Sequence, residues 1–385
     1  MAVRARAHMN RDAGAWFARC YGREPDGAWF APGRVNLIGG PDYNEVSVLP
    51  FALGAGVTAA AARRSDRRIA LVSRQIGDPP VLLDIDALEP GSAGGWAAYP
   101  AGVAWALGQA GYLAGGADVA IDADLPAGAG LSSSAALECA TALALTGLYQ
   151  VPVRRRELAA LARRAENEFA GVPTGMMDQI AALLCRAGHA LLLDCRTGTG
   201  TAIPLDPAAA GLVLLIIDTR ARRALADGRY AQRRRACEQA ASALGIRSLR
   251  DLTEEALAGL SDPSLRRLCG HVVAENRRVL QVAGLLRAGD QAAVGALLTA
   301  SHRSFRDQFG VSWPQADEAV DAALGAGAAG ARMTGGGFGG CVVVLASAER
   351  ATHVRAAVTS RFTHNNWPVP HYLDAVPSDG ARRLR

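Results

Sequence analysis

The sequence contains no lysine: all 41 basic side chains among its 385 residues are arginine. That absence excludes the phosphate loop G-x-x-x-x-G-K-[ST] and the strand lysine of protein kinases. Phosphoryl chemistry in such a chain has to rest on helix dipoles, magnesium and guanidinium groups. The seven cysteines, at 20, 139, 185, 195, 237, 269 and 341, contain no C-x-x-C pair, which argues against a zinc site and against a disulfide framework. Aromatics make up 5% of the chain and none interleave the runs Arg154–Arg156 and Arg233–Arg235, so these read as solvated helix faces rather than a nucleic-acid surface. No uncharged apolar run reaches about 18 residues, and the opening MAVRARAHMNRDAG lacks a signal-peptide core. The expectation is a cytoplasmic protein with neither a membrane nor a nucleic acid as partner.

What is present is enough apolar material for a large core: half the residues are hydrophobic, with a formal charge of +5. The length suggests about two domains. A helix to about Cys20 is followed by strands flanking the turn at 39–44, then strands at 56–62, 68–74 and 80–85 and a helix from Trp96 to Leu107. Apolar runs at 189–195 and 212–218 read as buried strands, and helical patterns fill 230–244, 249–260, 265–288 and 291–305. A late strand at 341–347 precedes a helix at 351–362. Strands first and helices later indicate an α+β protein of two lobes, 1–195 and 196–385.

The stretch Leu125 to Leu137, LPAGAGLSSSAAL, joins a strand (DVAIDADL) to a helix-forming run. Gly128 and Gly130 permit a tight turn, and small residues let an anion reach the unpaired N–H groups of the helix's first turn. The alternative is a capped turn before an ordinary buried helix. Two more stretches carry unusual polar density. The turn Gly39-Gly40-Pro41-Asp42-Tyr43-Asn44 holds more polar groups than a hairpin requires. In AGVPTGMMDQIAALL (170–184), Asp178 sits inside a short apolar helix, where a carboxylate is costly unless paired or used. It could also simply stabilise the helix N-terminus. Glu166 lies off the apolar stripe Leu158, Leu161, Ala165, Phe169 of the preceding helix. GARMTGGGFGGC (330–341) sets five glycines, between positions 335 and 340, before a strong strand.

Together, PGRVNLIG with DYN (32–44), LPAGAGLSSSAALE (125–138), AENEFAGVPTGMMDQ (165–179) and RMTGGGFGGC (332–341) resemble the GHMP family of small-molecule kinases, and within it the galactokinases. YAQRRRACE (230–238) and SHRSFRD (301–307) agree, all in family order. The resemblance implies an N-terminal lobe like ribosomal protein S5, a ferredoxin-like C-terminal lobe, and a site between them. It implies that Gly128, Ala129, Gly130, Leu131, Ser132, Ser133 and Ser134 wrap the phosphates of ATP, and that Ser134 and Glu166 hold Mg2+. Trp96 corresponds to an aromatic near adenine, with a core tryptophan as the alternative. Gly335, Gly336 and Gly337 would approach sugar and phosphates closely. Asp178 matches the family's proposed base for an anomeric hydroxyl, with Arg34 beside it, and Asp42, Gly175 and Tyr230 match sugar-binding positions. The partner implied is a small sugar, bound by a monomer or weak homodimer.

One departure bears on the substrate. Where galactokinases read G-E-H-T-D-Y-N-G-G, this chain runs Gly39-Gly40-Pro41-Asp42-Tyr43-Asn44-Glu45-Val46, one residue shorter and without the Glu-His pair near the sugar's C6. Losing two hydrogen-bonding groups there favours a sugar altered or extended beyond C6, a heptose or octose, over galactose itself. An ordinary galactokinase is the alternative, as is a non-catalytic sensor that binds ATP and sugar. Mevalonate or homoserine kinase activity fits less well, because the DYN turn and the Tyr230 region are galactokinase features.

Overall fold

The computed structural model describes residues 13–126, 128–221 and 228–384, without the Asp78 side chain. The first residues of the expected opening helix and Ala127 of the glycine-serine loop lie outside the described residues. The strands, in chain order, are β1 (Gly27–Gly39), β2 (Ser47–Arg63), β3 (Arg68–Ser73), β4 (Gly77–Asp84), β5 (Ala117–Ala123), β6 (His189–Asp194), β7 (Thr199–Pro204), β8 (Leu212–Asp218), β9 (Gly330–Thr334), β10 (Cys341–Ser347), β11 (His371–Ala375) and β12 (Arg382–Arg383). They form two sheets. The first has the order β12-β1-β2-β5-β3-β4, with β6 joining the start of β2 and β7 following β6. All its pairings are antiparallel except β3 with β5.

The period of two along β2 sorts the helices onto two faces. Ala60 and Ala62 join Ala28, Val72 and Ala120 in a small cluster against Ala13 and Phe17 of the helix at residues 13–21 (α1). Ala59 and Ala61 point the other way, into the main core. On that side lie α2 (Ala98–Gln109), α3 (Ser133–Leu148), α4 (Arg155–Arg164) and α5 (Met177–Leu184). The small residues of α3 bring it close to β1: a Cβ on Gly147 would sit 2.5 Å from Trp29 Nε1. α4 runs on into a π-helical turn, Ala165–Phe169.

The second sheet has the antiparallel order β11-β8-β10-β9, the fourth-first-third-second arrangement of a ferredoxin-like lobe. Between β8 and β9 the chain inserts α6 (Arg229–Ala243), α7 (Glu254–Ala258), α8 (Pro263–Arg287), α9 (Val294–Ser304) and α10 (Pro314–Gly325), and α11 (Ala351–His364) separates β10 from β11. The α+β class expected from the order of elements is the class observed. The division expected at 195 and 196 falls inside the β6–β7 pair, and β12 returns to β1 from the far end of the chain. We therefore propose a boundary after β7, in the segment before β8, with the last strand belonging to the first lobe. Reading 249–260 as one helix also needs correction: a 3-10 turn, Leu249–Asp251, precedes the short α7. Among the described residues no helix is long and apolar enough to cross a membrane.

The lobes meet at the end of β1. Thr334 Oγ1 donates to the Asn36 carbonyl at 2.9 Å, and the fully buried Arg332 donates to the Leu37 carbonyl at 3.2 Å. Glu275 of α8, 1% exposed, accepts from Gly39 N–H at 3.2 Å and from the Ser301 hydroxyl. Arg278 supplies Glu275 with a nearby countercharge at 2.8 Å. Two buried charges are stabilised here only because each has partners. Their effect is to fix Gly39, the residue that opens the polar turn.

Candidate active site

Strand β1 turns away at Gly39, and the next residues form a 3-10 turn, Asp42–Asn44, closed by Glu45 N–H to the Asp42 carbonyl at 2.9 Å. The Asp42 side chain reaches the start of α5, where one carboxylate oxygen accepts from Met177 N–H at 3.0 Å. A Cβ on Gly175 would lie 2.0 Å from Asp42 Cγ, so only glycine leaves room for this seat. Burial pushes the Asp42 carboxyl up, and the negative charge of Asp178 pushes in the same direction.

Asp178 lies in the first turn of α5. Arg34 of β1 donates from Nε at 2.8 Å and approaches from Nη2 at 2.7 Å, both to Asp178 Oδ1. Oδ2 accepts from the Ser132 hydroxyl at 2.6 Å. Arg34 also donates to the Gly130 carbonyl at 2.7 Å, and its backbone N–H to the Leu131 carbonyl at 3.1 Å. One buried arginine thus joins the carboxylate of α5 to the glycine-serine loop. Asp178 sits at a helix N-terminus, as the structural alternative held, and is paired as well.

The loop itself carries backbone conformations that suit a bound anion. Gly128 and Gly130 have φ of +74° and +78°, and Ser132, a non-glycine residue, has φ +59°. Such a serine costs about 1–2 kcal/mol of backbone strain, offset here by its bond to Asp178. Because that hydroxyl is engaged elsewhere, α3 begins without a side-chain cap. Its first-turn N–H groups remain for a ligand. Gly340, at the end of the second glycine loop, comes so close that its Cβ would meet the Ala129 carbonyl at 3.0 Å. Gly335 and Gly337 adopt φ of +87° and +85°, and Gly336 lies between them, half-buried. Thr219 anchors this loop by donating to the Gly340 carbonyl at 2.6 Å.

Glu166 is 3% exposed, although the helical stripe placed it outside. The π-helical turn explains the difference: its i→i+5 bonding widens the turn and rotates Glu166 off the 3.6-residue register, inward. Its Oε2 accepts from Thr174 Oγ1 and Gln179 Nε2, both at 2.8 Å, and the nearby Ser134 hydroxyl favours the charged form of the carboxylate. Burial pushes its pKa up. The same Gln179 amide reaches Glu138 at 3.0 Å, a fully buried carboxyl that burial and then the charge of Glu166 hold far above the usual range. Ser134 and Glu166 are therefore neighbours, and among the described residues no group of three or more His, Cys, Asp or Glu forms a metal cage. One hydroxyl and one carboxylate suit a hard ion that takes its other oxygens from phosphate and water.

Tyr230 is half-buried and meets Tyr43 of the polar turn edge to face at 5.7 Å. Trp96 is half-buried against the main core. Sequence reasoning missed Thr174 and Gln179 as holders of Glu166, and Glu275 and Arg332 as holders of Gly39. The first two lie within the stretch that carries Asp178, but nothing marks Glu275 in the pattern of α8.

Three family descriptions match this arrangement: GHMP kinases N terminal domain over residues 98–186, GHMP kinases C terminal over 282–364, and galactokinase galactose-binding signature over 15–63. A galactokinase of Streptomyces coelicolor is 48% identical over 377 residues, 96% of this chain and 97% of that protein. This chain belongs to the galactokinase family of GHMP kinases. A Mycobacterium tuberculosis galactokinase is 44% identical over 86% of this chain and 93% of its own. The crystal structure of Lactococcus lactis galactokinase complexed with galactose superposes with a TM-score of 0.90 at 30% identity, covering 99% of this chain and all of that one. This galactokinase-family protein is an enzyme, a sugar kinase that phosphorylates an alcohol group. The fold brings the motifs together where β1, the start of α3, α5 and the Gly335–Gly340 loop meet.

Proposed function

We propose that this protein transfers the γ-phosphoryl group of ATP to the C1 hydroxyl of galactose, with Mg2+. The observation that carries the reading is the Arg34–Asp178–Ser132 cluster, set between the uncapped start of α3 and the seated Asp42. Phosphoryl transfer passes through a loose transition state that mainly needs positioning and charge stabilisation. In this reading the α3 N–H groups and the Gly128–Ser134 loop hold the phosphates. Asp178 accepts or orients the anomeric proton, and Arg34 offsets charge on the group in transfer. Asp42 and Tyr230 hold sugar hydroxyls. Ser134 and Glu166 hold the magnesium ion, which when bound neutralises phosphate charge. Glu166→Ala is expected to raise the magnesium concentration for half-maximal rate by about tenfold or more. A magnesium titration of initial rate that is unchanged in the variant would place the ion elsewhere.

For the sugar itself, the galactose-binding signature and the galactokinase relatives favour galactose over the extended sugar that the shortened turn suggests. The extended sugar keeps one observation in its favour. A Cβ at Gly40 would find its nearest neighbours, Val46 and Glu275, only at 3.8 and 3.9 Å, so the turn has room for at least a methyl group there. Paired kcat/KM measurements on galactose and on a heptose or octose separate the two. Galactose should be preferred by about tenfold or more, within the range that lost pocket contacts provide. Preference for the longer sugar would overturn the galactose assignment and leave the kinase chemistry intact.

A further inference from the structure

We infer that Glu45 is a positioning residue for the sugar-binding turn, and that its ion pairs make sugar affinity depend on ionic strength; this rests on the reading of Asp42 as a sugar contact. Glu45 occupies the left-handed region at φ +58° and ψ +19°, a conformation that glutamate adopts only when its surroundings impose it. Three arginines do so. Arg196 Nε donates to one carboxylate oxygen at 2.6 Å and Arg247 to the other at 2.9 Å, while Arg250 donates to the Glu45 carbonyl at 2.8 Å. Two of these arginines are themselves fixed. Arg196 makes a bidentate pair with Asp251, both contacts at 2.8 Å, and Arg250 one with Asp194 at 2.7 and 2.6 Å.

The cluster links the end of β6 to the 3-10 turn Leu249–Asp251 of the helical insert, and Glu45 is where it grips the turn. From Glu45 the hydrogen bond to the Asp42 carbonyl passes any displacement directly to the sugar contact. The two ends of the turn differ in how water reaches them. Gly39 is held by the buried Glu275 and Arg332. The Glu45 and Arg196 side chains are each 26% exposed and that of Arg247 is 70% exposed. Salt screens exposed pairs far more than buried ones, so added salt loosens the turn from the Glu45 end alone.

The test is steady-state kinetics at saturating ATP in about 0.05 and 0.5 M NaCl, a span that shortens the screening length severalfold. Glu45→Gln keeps the shape and removes the charge. Its KM for sugar should rise about 3- to 30-fold at low salt, the range of two partly exposed pairs, with kcat and the KM for ATP within about twofold of the parent. The parent's sugar KM should rise with salt and that of the variant should not. Arg247→Gln, at a mostly exposed position, should show the same pattern at smaller size and carries little risk to folding. An unchanged sugar KM in both variants, or a salt response of equal size in parent and variants, would overturn the inference. So would a KM for ATP rising in step with that for sugar. Absence of any galactose turnover by the parent is a separate outcome: it refutes the substrate reading, and the ratio of variant to parent on the sugar that is turned over then tests the cluster.

Discussion

Asp178→Asn is expected to lower kcat by about 10²–10⁴ with little change in ATP affinity. Asparagine matches aspartate in shape and can still accept from Arg34, so the carboxamide holds the neighbouring groups near their places. What it cannot do is take a proton from a sugar hydroxyl or present a full negative charge to one. The Ser132 hydroxyl, which donates to Asp178 Oδ2 at 2.6 Å, meets an amide instead, and Arg34 loses its counter-ion. Arg34 retains the Gly130 carbonyl as acceptor, so the loop does not collapse. The expected stability loss is about 1–3 kcal/mol, the cost of weakening a partly buried charged hydrogen bond. Turnover assays, ATP calorimetry and a thermal melt check the three parts separately. A variant with kcat within tenfold of the parent would show that Asp178 is not needed for the chemical step.

Gly175→Ala should cost about 10²–10³ in kcat/KM for sugar, by displacing a group it does not itself replace. The added methyl would sit 2.0 Å from both Cγ and one oxygen of Asp42 and 2.2 Å from the other oxygen. Every atom of the carboxylate is in the way, and the short side chain is also tied to Met177 N–H, so Asp42 has to leave its seat. The effect should fall on sugar KM more than on ATP KM. A double-mutant cycle decides whether the route is the proposed one. Asp42→Ala alone should lose a similar factor, and Gly175→Ala in that background should add almost nothing, because the clash has been removed. Additive losses would mean that Gly175 acts through some other part of the site.

The parts of this site that follow short-range rules were legible in the sequence. Glycines at positive φ, a strand feeding a helix start, and a carboxylate in an apolar helix each leave a local pattern, and Gly128, Gly130 and Asp178 stand where those patterns put them. The alternating and continuous apolar runs located β5, β6, β8 and β10 within a residue or two. Glu166 was legible as a residue but not as a buried one, since helical periodicity assumes 3.6 residues per turn and the chain departs from it there. Glu275 left no trace, because its partners Gly39, Ser301 and Arg332 are brought to it only by tertiary packing. Strand β12 is two arginines, a composition that no strand pattern favours, and it forms because β1 offers it an unpaired edge. The substrate reading drawn from the shortened turn is the one that the relatives weigh against. The deletion was visible, but the shape of the turn around Gly40 in three dimensions was not.

That last strand gives the first lobe an unusual history during synthesis. Trp29 and Phe30 lie opposite Arg383 and Arg382, whose guanidinium groups stack over the same two rings at 5.5 and 4.8 Å. Arg155 of α4 closes the seam by donating to the Ala381 carbonyl. At about 5–20 residues per second, tens of seconds separate the emergence of β1 from that of its outer neighbour. Throughout that interval β1 lacks its outer pairing at Trp29 and Phe30, and the whole ferredoxin-like lobe is made while it waits. The N-terminal half of this kinase is thus completed last as well as begun first, and a nascent chain stalled anywhere short of residue 382 carries an open edge.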